Sequence, residues 1–481
     1  MAAGLLYFMK SLNWGYDTIP QSGLAGRSLI WPRGRAVGGS TVINGMMYMR
    51  GNSADYDRWR EGGLPGWGYH DVLPFFRSFE RNVSHENSQY HGHDGELWTE
   101  RAKGENPLYA AWLEAARQAG FSDNDDFNGA NQEGIGLYDF NIHQGQRVTA
   151  ATAFLDPILH RSNLTVISSA EVDRLAFKGR SCAGVVMRDG RNLIARREVV
   201  LSAGAINTPL LLERSGVGDG ARLKQSGIDP IVHRPQVGGN LQDHLGVYVQ
   251  HSCTQAVTLY GLMRPDRALW SGIRALTTRS GPATSVPLEA GGFLRTDPDL
   301  PAPDVHVTFV PGLSLATTRL GQMQHGFLTN LYQLRPKSRG SVHLAADDHH
   351  SKPIIDPAYL SHEDDRQCLR AAVRLARRIV GQPALNAYCG EELAPGKNTA
   401  TGEDLDRWIA ENANTVFHPV GTCRMGSDAE AVVDGELRVK GVERLRIADA
   451  SVMPSLISGN TSAPTMMIAE RAASFLLQGH R

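Results

Sequence analysis

Cysteine is scarce in this chain: Cys182, Cys253, Cys368, Cys389 and Cys423 are scattered, odd in number and form no CxxC pair. Nothing in that pattern suggests a disulfide framework or a zinc site. It fits a reducing compartment, so a cytoplasmic location is expected. No stretch reaches the ~18 apolar residues of a membrane span. The opening MAAGLLYFM lacks the basic start and small-residue cleavage site of a signal peptide. Charge of one sign is missing too. The 49 Lys and Arg against 50 Asp and Glu leave −1 with no long run, so bulk charge points to neither nucleic acid nor an anionic membrane. Nothing before Gly34 forms a GxG, so the chain opens without a dinucleotide fingerprint.

What is present is an ordinary enzyme composition, 41% hydrophobic and 21% charged, in 481 residues. That length predicts two domains. The pattern is α/β with long connections. Leu108 to Ala119 has helical spacing. Thr165–Ile167, Val172–Phe177, Cys182–Met187 and Leu193–Ala195 read as short strands parted by glycine turns, followed by Glu198–Ser202 as a buried strand. Glu289–Phe293, Asp304–Val310, Phe327–Leu334 and Ser341–Leu344 read as a second, antiparallel sheet, with Ala268–Thr277 helical between them. Thr401 to Asp404 suits a capping box for a helix over Leu405–Asn412. Leu445–Ala448 reads as a strand delivering Asp449, and Thr465–Leu477 as a last helix entered through Pro464.

Three blocks carry chemistry. Pro32 to Gly51 places Gly38-Gly39-Ser40 ahead of Asn44-Gly45-Met46, where small residues let backbone approach a flat or anionic ligand. Gly204 to Gly218 follows the end of a buried strand, the usual ligand position in open α/β sheets, with a helix predicted to start at Thr208-Pro209. Phe417-His-Pro-Val-Gly-Thr-Cys-Arg-Met-Gly426 fixes a histidine, His418, in extended backbone before proline. Gly216-Val-Gly218-Asp-Gly-Ala221 formally fits GxGxxA but follows a helical stretch, so it reads as a glycine turn. The pairs His91/His93 and His349/His350 invite a metal reading, but lie in expected surface turns without companion ligands.

Together the three blocks, with Val237 to His244 and Gly459 to Thr465, resemble the glucose–methanol–choline (GMC) oxidoreductases, choline dehydrogenase- and alcohol dehydrogenase-like, over nearly the whole chain. The resemblance implies a Rossmann-like FAD domain (1–63, 145–245 and 401–481) and an antiparallel-sheet α+β substrate domain (64–144 and 246–400). It implies oxidation of an alcohol CH–OH, with hydride passing to the flavin and O2 or a quinone as final acceptor. His418 then matches the catalytic base, and Asn460 the second catalytic position. An imidazole near its ordinary range would accept the hydroxyl proton, and Asn460 would donate to the developing alkoxide. Gly38, Gly39, Ser40, Asn44, Gly45, Met46, Val172, Asp449, Ala450 and Thr461 match cofactor-binding positions, with no metal. Choline-oxidase-like relatives carry a flavin-linking histidine where this chain has Ile43, so non-covalent FAD is expected. The family normally opens with a βαβ unit bearing GxGxxG. Its absence before Gly34 leads us to expect a truncated first unit and, for the chain from Met1, weak FAD retention. A non-catalytic remnant, a lyase on the same scaffold and a nicotinamide dehydrogenase are the alternatives.

Overall fold

The computed structural model describes residues 9, 11–314, 324–345 and 351–479. The His349/His350 pair lies outside them. In chain order the elements that build the site are α1 (Ser53–Glu61), α2 (Tyr69–Phe79), α3 (Pro107–Gln118), β1 (Gly134–Leu137), β2 (Val172–Lys178), β3 (Ser181–Met187), β4 (Asn192–Ile194), β5 (Val199–Leu201), α4 (Gly204–Arg214), β6 (Leu245–Cys253), α5 (Pro265–Thr278), β7 (Ala290–Leu294), β8 (Val305–Val310), β9 (Gly326–Gln333), α6 (Glu363–Val380), β10 (Cys389–Ala394), α7 (Gly402–Asn412), β11 (Leu445–Ile447) and α8 (Ser462–Gln478).

The second sheet is seven-stranded and antiparallel, ordered β10-β6-β9-β8-β7-β1, with Asn414–Thr415 paired to β6. Strand alternation gives it two chemical faces. Val247, Val249, Val305, Val307, Phe309, Phe327 and Leu331 are buried in one core with α3 and α6. The alternate residues Tyr248, His306, Thr308, Val310, Leu328, Asn330 and Tyr332 line a cavity on the other face. The register sets Thr308 opposite Asn330 and His306 opposite Tyr332.

A separate two-stranded sheet pairs β5 with β11 in parallel, Val199 with Leu445 through Leu201 with Ile447. A second core joins Leu201, Leu445 and Met467 to Trp59, Trp67 and Phe76 of the α1–α2 region. The carboxyl ends of β5 and β11 run into Ser202–Gly204 and Ala448–Ala450, all of which line the same cavity.

Three sequence expectations change. Ser341–His343 stands outside the seven-stranded sheet, pairing with Ile354–Asp356 in a two-stranded sheet of its own. Residues 165–167 form no strand, and Val166 and Ile167 are exposed, because the β4-β3-β2 meander is complete without them. Helix α4 begins at Gly204 rather than Thr208, leaving Pro209 inside it. Proline cannot donate to the carbonyl four residues back, and the Thr422 hydroxyl donates to that Ala205 carbonyl instead, at 2.6 Å. Gly216 does turn the chain after α4 with φ 81°. A short strand, Val217–Gly218, and the helix Gly220–Gln225 follow it directly. The Asp219 carboxylate accepts from Ala221 and Arg222 N–H there, occupying donors that an anion would need.

Candidate active site

The cavity between the two sheets has a volume of about 910 Å³, within the ~300–1,000 Å³ range of cofactor and ligand sites. Of the residues singled out from sequence, Gly38, Gly39, Ser40, Asn44, Gly45, Met46, His418, Asp449, Ala450, Asn460 and Thr461 all line it. Val172 lies outside that lining, at the start of β2, where it pairs with Met187.

His418 is held from its backbone outward. Phe417, just before it, has φ 70°, a conformation that needs support in a non-glycine residue. Phe417 N–H donates to Thr415 Oγ1 at 2.8 Å, and its carbonyl accepts from Arg33 Nη2 at 2.7 Å. His418 N–H donates to Asp243 Oδ1 at 2.6 Å. Asp243 is buried, also accepts from the Thr415 and Tyr359 hydroxyls, and is pushed up to about 6 by burial.

The ring has two contacts: Nδ1 meets His244 Nδ1 at 3.0 Å, and Nε2 meets Asn460 Nδ2 at 3.1 Å. His244 Nε2 faces the Leu334 carbonyl at 3.0 Å, which accepts only, so that nitrogen carries the proton. Burial lowers His244 to about 3, keeping it neutral. Its Nδ1 is therefore a bare acceptor, His418 Nδ1–H must donate to it, and His418 Nε2 is left unprotonated, its lone pair accepting from Asn460. The hydrogen-bond network thus assigns the tautomer. Asn460 Oδ1 is buried and has no partner among the described residues.

Sequence reasoning expected an imidazole near its ordinary range. The structure corrects this: His418 lies well below it, first through burial, then through His244, Arg33 and His306. The base form is consequently the resting form at any ordinary pH.

Three neighbours were not legible in the sequence. His306 is buried and neutral. It donates from Nε2 to the Tyr138 hydroxyl at 2.9 Å and accepts from Tyr332, since Tyr138 itself donates to the Val307 carbonyl. Tyr332 packs against His244, His306 and His418. His244 stood inside a family-like segment, but only the fold shows what it touches.

At the strand ends, Asp449 accepts from Gly204 N–H (2.9 Å), Thr208 Oγ1 (2.6 Å) and Ser451 N–H (2.8 Å), joining β5 and β11. Asn44 Oδ1 accepts from Met46 N–H and Arg147 Nη1, which supports Met46 at φ 60°. Helix α8 opens beside Asn460 without a side-chain cap, and Thr461, Ser462 and Thr465 line the cavity.

His91 is the other correction. It is buried rather than in a solvated turn, while His93 is exposed. Its Nδ1 donates to Glu80 (2.9 Å) and its Nε2 to Asp126 (3.2 Å), and Glu80 is paired with buried Arg50. Potential ligand atoms of His85, His91, Asp126 and Asp139 lie within 4.8 Å of one another. Burial would lower His91, but its hydrogen bonds to Asp126 and Glu80 override that and hold it at about 9. It is therefore a buried cation within an ion-pair cluster.

A parallel-stranded sheet with a cavity at its carboxyl ends, facing a neutral histidine over an antiparallel wall, defines the ligand site of a two-sheet α/β enzyme. GMC oxidoreductase family patterns match residues 9–246 and 336–469. An oxygen-dependent choline dehydrogenase from Brucella anthropi is 41% identical over 98% of this chain and 86% of its own length. A mitochondrial choline dehydrogenase from Mus musculus is 43% identical over 97% and 79%. Among solved structures, pyridoxine 4-oxidase from Mesorbium loti is 31% identical with TM-score 0.89, covering 100% of this chain and 91% of that one. Formate oxidase from Aspergillus oryzae, at 24% identity and TM-score 0.92, shares the fold. The chain belongs to the GMC oxidoreductase family and is an FAD-dependent alcohol oxidoreductase.

The cavity fits that cofactor. A Cβ on Gly39 or Gly204 would meet nothing within 4 Å, and one on Gly45 only Leu288 at 3.8 Å. Three stretches of bare backbone thus face the open space, where a flat ring can lie against them.

Proposed function

We propose that the protein oxidises a primary or secondary alcohol to the carbonyl compound, with His418 Nε2 as base and Asn460 orienting the hydroxyl. The observation that carries this is the assigned tautomer: His418 presents a lone pair beside Asn460, whose Oδ1 is an unmatched buried acceptor. On binding, the substrate hydroxyl replaces the Asn460 N–H at Nε2, and its proton passes to that lone pair as the carbinol carbon loses hydride. The second Asn460 N–H then donates to the developing alkoxide. FAD, when bound, would supply the hydride acceptor, and Gly38, Gly39, Ser40, Asn44, Gly45, Met46, Asp449, Ala450 and Thr461, which line the cavity, would hold it. It is held without a covalent link, because buried Ile43 occupies the linking position and offers no nucleophile. O2 or a quinone takes the electrons onward. The names of the choline dehydrogenase relatives make choline the first alcohol to try.

Anaerobic stopped-flow bleaching of FAD-loaded protein tests the roles. His418→Ala is expected to slow flavin reduction by ~10²–10⁴-fold, and Asn460→Ala by ~10²–10³-fold, with FAD content retained in both. Parental rates in His418→Ala place the base elsewhere. Loss of FAD from both variants makes the pair structural.

A further inference from the structure

Helix α5 is amphipathic the wrong way round for a helix packed on a protein. Ser271 is its buried residue, and Gly272 and Ala275 are half-buried, so the small side faces the body. Leu269 (67%), Trp270 (63%), Ile273 (40%) and Leu276 (87%) are exposed. Their spacing of i, i+1, i+4 and i+7 puts them on one face. Met263 and Tyr260, in the turn that leads into the helix, extend the apolar surface at 43% and 38% exposure. An exposed apolar stripe this concentrated on one helix marks an interaction site.

Charge selects the occupant. Over 264–279 the sequence holds Arg264, Arg267, Arg274 and Arg279 against Asp266, a local net of +3 (4 − 1), in a chain whose total is −1. Arginine beside a Trp- and Leu-bearing face is the pattern of helices lying in the plane of an anionic bilayer surface. Bulk charge gave no hint of this because acidic residues elsewhere cancel it. Position adds a use. The turn Leu259–Met263 is tied to the cavity rim, where Leu259 N–H donates to the Pro311 carbonyl at 2.8 Å, and Val310, Leu313 and Ser314 line the cavity. No helix among the described residues is long and apolar enough to cross a membrane, so the contact is one of lying on the surface.

We propose that α5 seats this protein on an anionic lipid surface, with the rim of its active-site cavity beside the bilayer. Leu269, Trp270, Ile273 and Leu276 enter the headgroup region, while Arg267 and Arg274 meet lipid phosphates. An apolar alcohol or a lipid-dissolved electron acceptor then reaches the cavity from the membrane side.

Co-sedimentation of the FAD-loaded protein with phosphatidylglycerol/phosphatidylcholine vesicles tests this, beside vesicles of phosphatidylcholine alone. The expected result is binding to the anionic vesicles that falls at least tenfold in Leu269→Glu/Leu276→Glu and several-fold in Arg267→Gln/Arg274→Gln or high salt. Turnover of a water-soluble alcohol with a soluble acceptor stays unchanged in both variants, since neither pair lines the cavity. Three results overturn the proposal: no vesicle binding by the parent, binding that survives Leu269→Glu/Leu276→Glu, or a parent dimer that this variant splits without any vesicle binding. The last would make a second copy the occupant.

Discussion

His418 and His244 meet Nδ1 to Nδ1 at 3.0 Å, and only one of the two nitrogens carries a proton. His244, pinned by the Leu334 carbonyl, makes its partner the donor and so keeps the lone pair of His418 on the cavity side. His244→Phe removes that acceptor and leaves a buried N–H unmatched, a penalty of ~1–3 kcal/mol. The His418 proton can then move to Nε2, where it blocks base function. Flavin reduction in the loaded enzyme should slow by roughly 10–100-fold with little change in apparent substrate affinity. An equal loss of affinity and rate, or loss of FAD, would show that His244 only packs.

The lowered basicity of His418 has its own signature. A histidine with depressed pKa stays neutral as pH falls through 6.5, so the base remains available. The acid limb of the rate of flavin reduction should therefore lie well below pH 6.5. The direction follows from burial first, then His244, Arg33 and His306. A limb centred at pH 6.5–7 would mean that substrate binding restores the ordinary value.

Pro209 and Thr422 make a separable test of the scaffold. Ala205 is buried, and its carbonyl depends on the Thr422 hydroxyl. Thr422→Val should lower stability by about 1–3 kcal/mol in urea unfolding, the cost of an unmatched buried acceptor. Pro209→Ala returns a backbone N–H four residues downstream, so the double variant should recover part of the loss. Additive losses would place the Thr422 contribution elsewhere.

Strand alternation made three of the seven strands of the antiparallel sheet legible, β7, β8 and β9, because β8 and β9 bury one face completely and the period of two survives in the sequence. The glycine blocks and His418 were legible because short backbone and a fixed His-Pro are local features. Long-range chemistry was not. His306 and Tyr332 sit on strands as ordinary alternating residues, and only register brings them together. His91 read as a loop residue because its partners Glu80 and Asp126 lie 11 and 35 positions away. The depressed pKa of His418 comes from burial first, then from His244, Arg33 and His306, which are far from it in sequence and which no motif encodes.

His91 also sets an alkaline limit on stability. Its folded pKa, about 9, stands above the ordinary 6.5 because its hydrogen bonds to Asp126 and Glu80 outweigh its burial. A group raised in the folded state contributes its full stabilisation below the unfolded value and loses it as pH rises through the folded one. The window is therefore pH 6.5 to 9, and the shift corresponds to roughly 3 kcal/mol at most. Melting temperature should fall across that window in the parent. His91→Gln keeps a donor toward the carboxylates but cannot titrate, so it should be less stable at pH 6.5 and show a flatter decline toward pH 9. A parallel decline in parent and variant would assign the alkaline loss to another group.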